Sequence, residues 1–119
     1  KMRKIFSLSL LAFSLIACSS ENLEDLQVAP CDSLNVTYSA EVQAILTNNC
    51  TDAGCHVGPG GVGGLDLRTY SSAKQIADNG DLVGRITGTS GAEMPPTGKL
   101  SNCEIDKIRA WVQAGAQNN

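Results

Sequence analysis

The chain has 119 residues, with nine Lys plus Arg, twelve Asp plus Glu and one His, for a net charge of −3. That length holds one domain, and the acidic balance argues against a nucleic-acid binder, which needs cations to displace the counterions of phosphate. Aromatic residues make up only 4% of the chain and glycine takes twelve positions. A small domain with so few large core residues is marginal on burial alone and commonly carries a staple or a cofactor.

Lys1, Arg3 and Lys4 precede an apolar run from Ile5 to Ala17. The run is shorter than the ~20 residues a spanning helix needs, so residues 1–17 read as a signal peptide. It ends in Leu15-Ile16-Ala17-Cys18, which resembles a bacterial lipobox. Cys18 is therefore the expected lipidated residue; an ordinary signal peptide with a chance cysteine is the plainer alternative. Acylation by more than one chain gives stable membrane attachment and places the protein in the bacterial cell envelope, on the periplasmic or outer-membrane side. From Cys18 onward six basic residues face twelve acidic ones, a balance of −6. A basic or dipolar protein partner suits that charge. Residues 18–37 form a lipidated tether and N-terminal extension, polar and acidic through Glu21, Glu24 and Asp25 as far as Pro30.

The domain itself is expected over residues 38–117. Ser39 is an expected N-cap, and Val42, Ile45 and Leu46 recur at i, i+3 and i+4, which predicts an amphipathic helix over 40–48 stopped by Asn48-Asn49. It runs into Cys50-Thr51-Asp52-Ala53-Gly54-Cys55-His56. Two cysteines with His directly after the second have the chemistry of a c-type haem attachment site, here with four residues between the cysteines where two are usual. Each thiol can add across a haem vinyl group to give a thioether, and the histidine then stands beneath the iron.

Gly58 to Gly64 is a glycine-rich loop that lacks the spacing of a phosphate cradle. Its glycines suit close approach to a flat cofactor, with Gly58 or Pro59 expected to offer a carbonyl to the outer nitrogen of His56. Short helices are expected over 71–77, ended by Asn79-Gly80, and from Asp81 as N-cap to Ile86, with Leu82, Val83 and Ile86 buried. Thr87 to Gly98 has turn composition and carries Met94, stiffened by Pro95 and Pro96. Ser101 and Glu104 form a capping box ahead of Ile105, Ile108, Trp111 and Val112, with Gly115 as the C-terminal stop. Trp111 is expected to pack this helix against the first. No strand pattern appears, so the fold class is all-α: three to five short helices and irregular loops.

The cysteines then sort themselves. Cys18 goes to lipid, and Cys50 and Cys55 go to haem. Cys31 and Cys103 remain to pair as a disulfide in an oxidising compartment. His56 and Met94, the one histidine and the one methionine beyond the leader, make the His/Met axial pair of an electron-transfer cytochrome.

Three stretches in order carry a family resemblance: Ile45-Leu46-Thr47-Asn48-Asn49-Cys50 into Cys55-His56, Gly64-Leu65-Asp66-Leu67-Arg68-Thr69-Tyr70, and Met94-Pro95-Pro96 before Ile108-Arg109-Ala110-Trp111-Val112-Gln113-Ala114-Gly115-Ala116. Together they resemble a class I cytochrome c domain, and within it the Planctomycete-type bacterial group. The resemblance implies a small helical domain around one covalent haem c, attached at Cys50 and Cys55, with His56 proximal and Met94 distal. It implies electron transfer, with redox proteins of the envelope as partners, and no enzyme activity. The four-residue spacer departs from the family and leaves single-thioether attachment or a tilted haem open. Other readings are a haem sensor or haem enzyme subunit, a structural domain with a Cys50–Cys55 disulfide, or a zinc site built from Cys50, Cys55 and His56 with Cys31 or Cys103.

Overall fold

The computed structural model describes residues 30–119. The signal peptide, Cys18 and most of the tether lie outside the described residues.

The first helix begins where Thr37 gathers the free amides of its opening turn. The Thr37 hydroxyl accepts from Ala40 N at 3.3 Å, and its carbonyl accepts from both Glu41 N and Val42 N at 3.3 Å. Sharing one carbonyl between the i+4 and i+5 amides widens the turn into a π-helical segment, Tyr38–Val42, which leads into α1, Gln43–Cys50. Thr37 is thus the N-cap, two residues before the expected Ser39. The Glu41 carboxylate closes the same turn by accepting Thr37 N and Oγ1 at 3.0 Å each. The two amides still open, Tyr38 N and Ser39 N, donate to Oδ1 and O of Asn119, both at 2.9 Å. No local sequence signal announces an acceptor 81 positions away.

Two 3₁₀ turns, Asp52–Gly54 and Val62–Gly64, bracket the glycine-rich loop. Thr69 caps α2, Tyr70–Asp78, by accepting from Ser72 N, and Ala73, Ile76 and Ala77 form its buried face. Gly80, with φ of 83°, turns the chain into α3, Asp81–Ile86. Asp81, expected as that N-cap, is instead its first residue. Leu82 and Ile86 are buried as expected, while Val83 is half-buried and Gly84 takes the third buried place.

The last helix, α4, spans Asn102–Gln113 and carries the complete capping box: Glu104 N donates to Ser101 Oγ while the Glu104 carboxylate accepts Ser101 N. Its far end closes with Ala116 N donating to Trp111 O and Gly115 N to Val112 O, around a Gly115 φ of 93°. Those are the two bonds of a Schellman ending. Ile105, Ile108 and Trp111 face inward.

Helix packing centres on Tyr38, whose ring lies 5.1 Å from Tyr70, edge-on, and 5.6 Å from Trp111. Trp111, 1% exposed, therefore joins α4 to the first helical segment as expected. Aliphatic side chains from every helix complete one core. Cys31 and Cys103 form the expected disulfide, with Cα atoms 5.4 Å apart. The described residues contain no strand, and the fold is all-α.

Candidate cofactor site

α1 delivers Cys50 as its final residue. Asn49 pins that end to α4, donating from Nδ2 to Ile45 O at 2.9 Å and to Glu104 Oε1 at 3.2 Å. The four-residue spacer then folds as one tight turn, with Cys55 N donating to Asp52 O at 2.8 Å and Gly54 at φ 83°. The turn returns the chain to its start, so that His56 N donates to Cys50 O at 3.1 Å. The extra length is absorbed locally, and Cys50, Cys55 and His56 stay together.

Both cysteines are unbonded and half-buried, so this fold holds no Cys50–Cys55 bridge. Burial pushes the Cys50 thiol up to about 11, with smaller contributions from Cys55 and from the Glu104 carboxylate. At neutral pH this sulfur carries its proton. A neutral sulfur is what a thioether keeps buried without charge cost.

The imidazole of His56 is oriented by the loop that follows. Its Nδ1 lies 2.8 Å from Val62 O. A carbonyl only accepts, so Nδ1 is the donor in this bond and Nε2 is the ring nitrogen left for a metal. Val62 is also held from its amide, which donates to Cys55 O at 2.6 Å, and Leu67 N donates to His56 O at 3.0 Å. The acceptor is thus Val62, where Gly58 or Pro59 was expected.

Gly61 explains the difference. A Cβ there would stand 2.5 Å from Leu65 O, 2.7 Å from Val57 N and 3.2 Å from Cys55 O, all backbone atoms. The loop is pinched shut at this residue, and the pinch aims the next carbonyl at His56. The outer wall is fixed by Asp66, whose two oxygens take the Arg68 guanidinium at 2.8 and 2.7 Å, holding its carboxyl at about 2.

Met94 comes from a different element. It is half-buried, precedes a cis peptide to Pro95, and donates its amide to Arg85 O of α3 at 2.9 Å. Its backbone is therefore held by α3 as well as by the two prolines.

No family model, curated protein or solved structure matches this chain.

Among the described residues no group of three or more His, Cys, Asp or Glu side chains is placed to hold a metal ion. Cys31 and Cys103 are spent on each other, which removes the fourth ligand a zinc site would need. These residues offer two thiols for covalent addition, one imidazole held through Nδ1, and a thioether on an anchored loop. A porphyrin supplies four equatorial nitrogens, so those donors are all that a c-type haem requires of the protein.

Proposed function

We propose that residues 38–117 are a monohaem c-type cytochrome domain of the class I kind and that it carries electrons. Cys50 and Cys55 hold the haem, His56 Nε2 is the proximal ligand and Met94 the distal one. The observation that carries the reading is the Nδ1-to-Val62 bond, which orients the imidazole that follows the second cysteine and leaves Nε2 as the nitrogen for a metal. When bound, the haem supplies a one-electron iron couple whose potential a neutral thioether raises relative to a second imidazole. The protein's own part is to present two thiols, orient one imidazole and fix one loop.

An electron carrier needs both axial positions filled by protein. A sensor or haem enzyme needs one open or displaceable, and peroxidase-like chemistry also needs a distal acid–base group, for which the chain has no second histidine. Attachment to the membrane through Cys18 and exchange of electrons with a basic or dipolar envelope protein complete the proposal.

Protein made with a cytochrome c maturation system is expected to keep its haem through denaturing gel electrophoresis. Its pyridine haemochrome spectrum should read two thioethers, shifting toward one in Cys50→Ser or Cys55→Ser. Met94→His should stay six-coordinate and low-spin with a lower potential, and Met94→Ala should admit added ligands. Near-infrared magnetic circular dichroism of the oxidised wild type decides the ligand. A bis-histidine or high-spin signature that Met94→Ala leaves unaltered overturns it, and absence of covalent haem overturns the whole reading.

A further inference from the structure

The six-residue helix α3 ends with carbonyls that lack partners inside the helix, as every helix does. The chain that follows supplies them. Val83 O accepts from Thr87 N at 3.2 Å and Thr87 Oγ1 at 2.7 Å. Gly84 O accepts from Thr89 N at 2.8 Å and Ser90 N at 3.2 Å, and Arg85 O from Gly88 N at 3.3 Å and Met94 N at 2.9 Å. Residues 87–94 are thus a loop folded back onto the end of α3, with its middle and its far end seated on adjacent carbonyls.

That folding lays Ser90 directly over Gly84. A Cβ on Gly84 would stand 2.6 Å from the Ser90 Cβ and 2.2 Å from its Oγ. Carbon atoms pack at about 3.5–4.0 Å, so a methyl group there must displace the loop. Rotating the hydroxyl clears Oγ but leaves the Cβ where the backbone holds it. Gly84 is buried inside a helix, where glycine is a poor choice unless space demands it.

We propose that Gly84 and Ser90 are a positioning pair for Met94: the bare α-carbon at 84 lets Ser90 seat on α3, and that seating sets where the Met94 sulfur stands. Its functional meaning rests on Met94 as the distal ligand, whereas the packing does not.

The experiment compares the haem-loaded full chain with Gly84→Ala, Ser90→Gly, and the double variants Gly84→Ala/Ser90→Gly and Gly84→Ala/Ser90→Ala. Two signals are read. The first is the near-infrared signature of methionine sulfur on ferric iron. The second is hydrogen exchange at the Met94 amide, which reports the bond to Arg85 without reference to iron.

Gly84→Ala is expected to lose the sulfur signature and speed Met94 exchange, although alanine is the better helix former. Ser90→Gly alone should keep both signals. Adding Ser90→Gly to Gly84→Ala should restore both, and adding Ser90→Ala should not. The pairing is overturned if Gly84→Ala keeps both signals, if the Ser90→Gly double variant fails to fold or to restore them, or if Ser90→Ala restores them as fully. A wild type without the sulfur signature defeats the ligand assignment alone, and amide exchange then still decides whether the pair positions Met94.

Discussion

At the scale of single residues, the chemistry turns on protons that stay in place. The Cys50 thiol has its value raised from an ordinary 9.0 to about 11, chiefly by burial. A value raised on folding stabilises the protonated form. That contribution is fully present below pH 9.0 and drains away as pH rises toward about 11. In protein made without haem, alkylation of Cys50 should be slow near neutral pH and accelerate toward about pH 11, while the urea-unfolded chain follows the ordinary profile. Peptide mass spectrometry across a pH series checks this, and identical folded and unfolded profiles would refute it. The residues proposed for attachment could be picked out in the sequence because they are adjacent: Cys55 and His56 need no fold to be neighbours. The carbonyl that orients His56 was not, because it depends on backbone atoms of Val57 and Leu65 closing around Gly61.

At the scale of elements, signals written within one turn were readable and signals borrowed from elsewhere were not. The Ser101–Glu104 box lies within four consecutive residues and appears as read, whereas the first helix takes its cap from Thr37 and from Asn119. Glycine at position 84 is a poor helix former taken alone, and only the returning loop places Ser90 against its bare α-carbon. Glu104 does more than cap. Its Oε2 accepts Ser101 N at 2.9 Å and Ser101 Oγ at 2.8 Å, and its Oε1 accepts Asn49 at 3.2 Å, tying the start of α4 to the end of α1. Burial alone would push its carboxyl up, but these bonds from Ser101 and Asn49 outweigh it and hold it below the ordinary 4.5. A lowered value contributes stability above pH 4.5 that is lost as pH falls through it. Glu104→Ala should therefore cost about 1–2 kcal/mol near neutral pH. The difference from wild type should shrink in acid, as read by urea unfolding at about pH 7 and about pH 3.

At the scale of the molecule, long-range ties hold the frame around the site. The Cys31–Cys103 bridge spans 72 positions, and a loop of that size is worth about 4 kcal/mol in the chain-entropy model. Covalent haem would already restrict the unfolded chain, so Cys31→Ser/Cys103→Ser should lose less than that in a thermal melt and leave the haem spectrum unchanged. A collapsed spectrum would mean that the bridge shapes the site through its neighbour Glu104. The segment after α4 works in the same way without a covalent bond. Ala116 is 1% exposed; Ala116 O accepts from Tyr70 Oη, Gln117 O from Trp111 Nε1, and Asn119 from the first two amides of the opening turn. The useful boundary of the folding unit therefore lies beyond the last helix. A chain trimmed after Gly115 would keep every helix and still strand the donors of Tyr38, Ser39, Tyr70 and Trp111 against one another with nothing to receive them.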